Sequence, residues 1–289
     1  LRVAVIGAGG QVGTEVVRAV HTAGFDVLPL SHEQVSVEDR AALDLALSSL
    51  APGDVVVNTA AYHRTDDCED RPHDALAINA IGARNVALSA HARGAAVVYY
   101  SSDYVFDGAQ SERPYVESDL AAPINVYGVS KLAGEMFVRL VNPQAYVLRI
   151  ASVFGVAGSR GKGGNFVETM LAKARRGDKI EVVDDIVMTP TYAADAADLT
   201  VALLARHAPP GTYHLTNAGP VSWHEFATAI IRGAGLDVPV AAVASASMPT
   251  RARRPAYSAL ASERLAVLGL SARPWREALT DYLRARGHV

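Results

Sequence analysis

The strongest constraint on the fold is an alternation. Five continuous apolar runs, "RVAVIG" (2–7), "DVLPL" (26–30), "DVVVNTA" (54–60), "AAVVYYSS" (95–102) and "AYVLRIAS" (145–152), are separated by amphipathic stretches at 11–23, 38–50, 73–93 and 124–141. Runs that are apolar throughout suit strands buried on both faces, the condition of a parallel sheet covered by helices. Strand and helix in regular alternation imply right-handed crossovers. The expected fold class is therefore α/β, a doubly wound parallel sheet of the Rossmann type.

Past residue 152 the pattern changes. "GSRGKGG" (158–164) reads as a flexible loop, 165–177 as helix, 179–185 as strand, 193–207 as helix, 211–217 as strand, 222–234 as helix and about 275–286 as a last helix. The expected division is a dinucleotide-binding domain over 1–152, with 184–207 returning to it. Residues 153–183 and 208–289 then form a smaller α/β substrate-binding lobe.

"VIGAGGQVG" (5–13) follows the first strand and opens the first helix. Gly7 allows a tight turn, Gly10 lets the backbone approach a pyrophosphate, and Gly13 permits close helix–strand packing. The helix N-terminus adds free N–H groups and a positive dipole end. In this context the pattern predicts a nicotinamide dinucleotide site. At the end of the second strand, "PLSHEQ" (29–34) offers Ser31 and His32, with Glu33 beyond the strand end. Without an acid placed to repel a ribose phosphate, NADPH is expected, with NADH in its place as the alternative.

Tyr127 and Lys131 in "NVYGVSKLAGE" (125–135) share a helix face, one turn apart. An ammonium beside a phenol favours the phenolate and lowers its pKa, making Tyr a usable acid or base. Ser102 ends the fourth strand candidate, at the sheet edge where ligands bind in open α/β folds, and could bond a substrate carbonyl oxygen beside the Tyr hydroxyl. A Ser–Tyr–Lys set facing a nicotinamide implies carbonyl and alcohol chemistry.

Composition narrows the partners. A net charge of −3 without a block of like charge gives no case for nucleic acid or an anionic membrane. No apolar run approaches the roughly 20 residues of a membrane span, and "VAVIGAGG" breaks into glycines too early for a signal peptide. A cytoplasmic location is expected. The single cysteine, Cys68, excludes an internal disulfide. No metal site is expected, since His63, Asp66, Asp67 and Glu69 match no ligand spacing and read as a solvated acidic loop. "RARR" (251–254) reads either as a solvated face or as an anion site, with Arg254 the candidate fork. Trp223 and Trp275 read as packing residues of the smaller lobe.

The glycine pattern, the strand-end Ser and the YxxxK spacing resemble the extended short-chain dehydrogenase/reductases. "GAGGQVG", "NTAAYHRTDDCE", "SSDYVFDG", "NVYGVSKLAGE", "GNFVETML" and "RRPAYSAL" are similar, in order and nearly end to end, to the dTDP-4-dehydrorhamnose reductase family. The resemblance implies reduction of the 4-keto group of a dTDP-6-deoxyhexose to give dTDP-L-rhamnose. It implies that Tyr127 is the proton donor, that Lys131 binds the nicotinamide ribose and tunes Tyr127, and that Ser102 takes the place of the catalytic Thr or Ser. Gly7, Gly10, Gln11 and Val12 would hold the pyrophosphate, Ala60, Ala61 and Tyr62 would line the coenzyme groove with Ser101, and Asp103 and Tyr104 would face the sugar with Ser152 and Arg254.

The chain departs from the family pattern at four places. Ser152 stands where Trp is common, Ile186 and Met188 replace Gln and Gly of "DQxGxPT", Ser36 replaces an Asp near the adenine end, and Tyr257 replaces Asn. A 4-ketoreductase for another dTDP-deoxysugar, an epimerase, and a non-catalytic NADP-binding regulatory subunit therefore stand beside the main reading. A dehydratase is disfavoured, because Tyr104 occupies the position of the Glu it would use as a base. The expected assembly is a monomer or homodimer.

Overall fold

The computed structural model describes residues 1–158 and 164–289; residues 159–163 of the expected 158–164 loop lie outside them. The first half builds β1 (Arg2–Ile6), α1 (Gln11–Thr22), β2 (Asp26–Leu30), α2 (Arg40–Ala46), β3 (Val55–Asn58), α3 (Thr65–Asp70), α4 (Pro72–Leu76), α5 (Ala83–Ala92), β4 (Ala96–Ser102), α6 (Val126–Val141) and β5 (Ala145–Ile150). The second half adds β6 (Val153–Phe154), α7 (Phe166–Arg176), β7 (Ile180–Val183), β8 (Val187–Met188), β9 (Thr191–Tyr192) and α8 (Ala193–Ala205). It closes with β10 (Gly211–His214), β11 (Val221–Ser222), α9 (Trp223–Gly233), β12 (Val240–Val243), α10 (Glu263–Val267) and α11 (Trp275–Ala285).

Six strands form one parallel sheet in the order β10-β5-β4-β3-β1-β2. The chain winds outward from β1 to β2 and then returns to β1's other side at β3. The loops after β1 and β3 thus part over a crevice at the C-terminal ends of the strands. The central strands β3, β4 and β5 are buried at every residue, and their polar residues, Asn58, Ser101, Ser102 and Arg149, stand at or near the C-terminal ends. One face packs Val16, Ala19 and Val20 of α1 with Ala197, Val201 and Leu204 of α8. The other packs Leu43 of α2, Val86, Ala87 and Ala90 of α5, and Val138 of α6. A separate core holds Leu171 of α7, Phe226 and Ile230 of α9, and Leu279 and Tyr282 of α11.

Three expectations change. The helix expected over 73–93 is interrupted by a π-type turn at Ala77–Gly82, where the Asn79 carbonyl accepts the Tyr99 hydroxyl at 2.7 Å. The acidic loop around Asp66 is the helix α3. Residues 211–214, assigned to the lobe, form the edge strand β10 of the main sheet, paired with β5 from Gly211↔Tyr146 to His214↔Arg149. The lobe instead gains β12, parallel to β7, which the sequence reading did not anticipate.

Candidate active site

A cavity of about 1430 Å³ lies between the C-terminal edge of the main sheet and the lobe of α7 and α9. Its floor is the loop from β1 to α1. Gly7 has φ +79°, a left-handed conformation, and a Cβ there would stand 2.7 Å from Thr59 Oγ1. A Cβ at Gly13 would collide with the Gly7 carbonyl, so the helix starts against the turn only because both positions are glycine. The N-cap of α1 is Gly10, no side chain caps the helix, and no acidic residue lies in its first turn. Its first N–H groups are therefore available to a phosphate. Gly10, Gln11 and Val12 line the cavity; Gln11 Nε2 donates to the Val153 carbonyl at 3.0 Å, while its Oε1 is buried without a partner. This cradle fits a dinucleotide pyrophosphate.

At the far end the wall comprises Ser31, His32, Glu33, Ser36, Val37 and Glu38. Glu33 and Glu38 also line this end, both of them exposed. Ala60 and Ala61 line the groove after β3. Tyr62 does not: the Asn79 side chain takes both its N–H (2.8 Å) and its C=O (3.0 Å), and its ring lies under Arg71.

The helix α6 carries the central pair. Asn125 caps it, accepting the Gly128 N–H at 2.7 Å. Gly128 packs on the turn that follows β4, where a Cβ would meet the Tyr104 carbonyl, and Gly134 packs on β4 and the π-type turn, where one would meet the Tyr99 hydroxyl and the Asn79 carbonyl. These glycines bring α6 close enough for Tyr127 and Lys131 to reach the strand ends. Tyr127 is half-buried against the cavity, and Lys131 is 1% exposed. Lys131 Nζ donates to the Tyr100 carbonyl at 2.5 Å and lies 4.1 Å from the centre of the Tyr99 ring.

The electrostatics differ from the sequence expectation. Lys131 was expected to draw the Tyr127 pKa down. Burial instead pushes the phenol up, reinforced by the charge of Asp103 and opposed by the Ser102 hydroxyl. Burial also lowers Lys131 to about 7, with Glu135 working the other way. Desolvation dominates both groups because the helix is packed tightly against β4.

Ser102 closes β4. Its hydroxyl donates to Asp103 Oδ1 at 3.0 Å and accepts the Tyr104 N–H at 3.2 Å. Asp103 is 3% exposed, and its Oδ2 accepts the Ser258 hydroxyl at 2.6 Å. Both carboxylate oxygens are thus engaged by serines, and Asp103 is less open to a sugar than the resemblance implied. Burial raises its pKa to about 6, against the two serine bonds. Tyr104 does face the cavity, its ring edge-on to Tyr127 at 6.0 Å. Arg254 reaches the Tyr104 hydroxyl at 3.3 Å and Asp66 Oδ2 at 2.9 Å. Ser101 lines the cavity, but its hydroxyl is engaged away from it, donating to Glu135 Oε1 at 2.6 Å, within the buried Glu135–Arg149 pair.

Ser152 lines the cavity with φ +45°, uncommon for a residue with a Cβ. Opposite stand Phe166 and Trp223, edge to face at 4.6 Å, with Ile186 and Met248 beside them. Trp223 is thus a wall residue as well as a packing residue, whereas Trp275 is buried against Phe226. Phe166 and Ser258 were not singled out from the sequence; neither carries a spacing signal, since partners distant in the chain define their places. Among the described residues no group of three His, Cys, Asp or Glu is arranged to hold a metal ion. Nor is any helix among them long and apolar enough to cross a membrane.

Comparison with known proteins matches the model of the RmlD substrate binding domain to residues 1–287. The chain is 39% identical over 285 residues to the spore coat polysaccharide biosynthesis protein SpsK of Bacillus subtilis, covering 99% of this chain and 98% of that one. It is 38% identical over 286 residues to a dTDP-4-dehydrorhamnose reductase of Mycolicibacterium smegmatis, covering 98% and 85%. The crystal structure of a dTDP-4-dehydrorhamnose reductase from Bacillus anthracis in complex with NADP superposes with a TM-score of 0.91 at 34% identity, covering 98% and 99%.

Proposed function

We infer the activity from one premise: the chain belongs to the RmlD substrate binding domain family, which its dTDP-4-dehydrorhamnose reductase relatives represent. It is an NAD(P)H-dependent sugar-nucleotide 4-ketoreductase that converts dTDP-4-dehydrorhamnose to dTDP-L-rhamnose. NADPH, or NADH in its place, supplies the hydride that reaches the carbonyl carbon. The observation that carries the assignment of roles is the meeting of the Ser102 and Tyr127 hydroxyls at the cavity wall, with Lys131 behind them.

In this reading Gly7, Gly10, Gln11 and Val12 hold the pyrophosphate on the N-terminus of α1. Ala60 and Ala61 border the groove. Tyr127, kept as a neutral phenol by burial, is in the protonation state reduction requires, and it delivers its proton to the carbonyl oxygen. Ser102 bonds the same oxygen. Lys131, fixed by the Tyr100 carbonyl, binds the nicotinamide ribose and stabilises the phenolate as the proton leaves. Arg254 lies at the cavity wall with its charge shared by Asp66, suited to a diphosphate. Tyr104 and Ser152 border the sugar.

We divide the chain functionally into the coenzyme sheet and the lobe of α7, α9 and α11, the latter supplying Phe166 and Trp223 to the sugar-nucleotide side. We place the enzyme in the cytoplasm, where it acts as a monomer or homodimer. The small side chain of Ser152 favours a second reading, reduction of a different dTDP-4-keto-6-deoxyhexose. Incubation with NADPH and a panel of dTDP-4-keto sugars tests both: NADPH absorbance reports turnover, and NMR of the product gives the configuration at the new hydroxyl. NADPH binding without oxidation across the panel would sink the reductase reading in favour of a regulatory subunit.

A further inference from the structure

Ser258 comes from the C-terminal segment, 155 positions beyond Asp103 in the chain, and donates its hydroxyl to Asp103 Oδ2 at 2.6 Å. Its backbone is anchored independently, by its N–H to the Val187 carbonyl at 2.8 Å. Both side chains are buried, Ser258 at 2% and Asp103 at 3% exposure. The other carboxyl oxygen accepts the proton of Ser102, a group that the reductase reading requires as a donor to the substrate. A serine hydroxyl has one proton. While Asp103 is ionised it accepts from both serines, and the Ser102 proton is committed. Ser102 Oγ already accepts the Tyr104 N–H, so in that state it offers the cavity no proton. Once Asp103 is protonated, its own O–H can donate to Ser102 Oγ and the Ser102 proton turns outward.

We propose that Ser258 is a positioning residue acting through Asp103: its hydroxyl holds the Asp103 carboxyl so that the protonation of that carboxyl decides whether the Ser102 proton points back at Asp103 or out at the carbonyl oxygen being reduced. The proposal rests on the reductase reading for the identity of that oxygen. No bond to carbon changes in this step; a proton is taken from solvent onto Asp103 and donated to Ser102 Oγ, and one hydroxyl proton, that of Ser102, reorients while the Ser258 bond stays in place. The ionisable groups around Asp103 are Tyr127 on α6, whose anionic form the Asp103 charge disfavours, and Tyr104 in its own turn. The cations nearby are engaged elsewhere, Arg254 with Tyr104 and Asp66, Lys131 with the Tyr100 carbonyl. Burial raises the Asp103 carboxyl to about 6, within reach of ordinary assay conditions, and the Ser258 bond opposes the rise.

The test is the pH profile of kcat from pH 5 to 8 for the wild type, Ser258→Ala, Ser258→Thr and Asp103→Asn. It is paired with 13C NMR titration of the Asp carboxyls in the same proteins without substrate. In the wild type kcat is expected to fall as pH rises through the Asp103 ionisation. Ser258→Ala moves that limb upward by about one pH unit, the scale of one lost hydrogen bond to a charged group. Ser258→Thr restores it, and Asp103→Asn abolishes it. A structural role alone would lower kcat without moving the limb. If no variant turns over any 4-keto sugar, the reductase reading fails, and the NMR still decides the coupling: a buried carboxyl that titrates near 6 and moves up in Ser258→Ala supports it. Superposable profiles for the wild type and Ser258→Ala, or no carboxyl titrating between pH 5 and 7, overturn it. Should Ser258→Ala not fold, the Asp103→Asn profile and the wild-type titration decide.

Discussion

Glu135 grips Arg149 through two parallel bonds, Arg149 Nε to Oε1 at 2.9 Å and Nη2 to Oε2 at 2.8 Å, one turn beyond Lys131 on α6. The Glu135 side chain is 0% exposed and that of Arg149 is 5%. The pair ties α6 to β5, and Ser101 completes it from β4. Removing one partner of such a pair leaves the other charge buried without compensation, at about 3–5 kcal/mol. Glu135→Gln should therefore lower Tm by roughly 10 °C. Calorimetry checks this; a change within a couple of degrees would mean that the guanidinium finds another acceptor.

Tyr127→Phe removes only the hydroxyl proposed to give up the proton. NADPH affinity, read by fluorescence titration, should stay within about threefold, while kcat falls at least about 10²-fold, the usual scale for a positioned acid. Near-normal turnover would pass the proton-donor role to another group.

Lys131 has a folded pKa of about 7, below its ordinary 10.5. Between those values the unfolded chain binds more protons than the folded one, so this group's contribution to stability rises with pH and is lost as pH falls toward 7. Against Lys131→Met, which cannot titrate, the wild type should gain about 2–3 kcal/mol between pH 7 and pH 9. Urea unfolding of both proteins across that interval measures the difference. Parallel stability curves would show that Lys131 stays charged in the fold.

Trp223 lines the cavity from the lobe, against Phe166. Trp223→Ala should raise KM for the sugar nucleotide about tenfold, as loss of one aromatic contact of about 1.4 kcal/mol implies, with little change in NADPH affinity. An effect on NADPH binding instead would place the lobe wall on the coenzyme side.

The sheet was legible because its central strands are apolar except near their C-terminal ends, and the coenzyme loop because Gly7 and Gly13 have no substitutes at their places. Tyr127 and Lys131 were legible through helical spacing, and the strand-end position of Ser102 through the apolar run before it. Their protonation was not legible: Lys131 and Tyr127 are one turn apart, but burial is the main cause of both shifts, and burial depends on how Gly128 and Gly134 seat the helix. Ser101 lines the groove but its hydroxyl is held by Glu135, and Tyr62 is held away from it by Asn79; such long-range pairings leave no local pattern. Nor did the segment 211–214 announce its sheet, because a short edge strand looks the same whichever sheet it joins.

That edge strand has a consequence for how the molecule is made. β5 is translated some sixty residues before β10 pairs with it, and the Tyr146 hydroxyl must wait for the Ala208 carbonyl just as Arg149 waits for His214. A nascent chain that has emerged only through residue 152 therefore carries an open strand edge able to recruit a neighbour's backbone. The main sheet is therefore completed only by residues beyond the first half, and truncation after residue 152 should yield aggregates rather than a smaller coenzyme-binding protein.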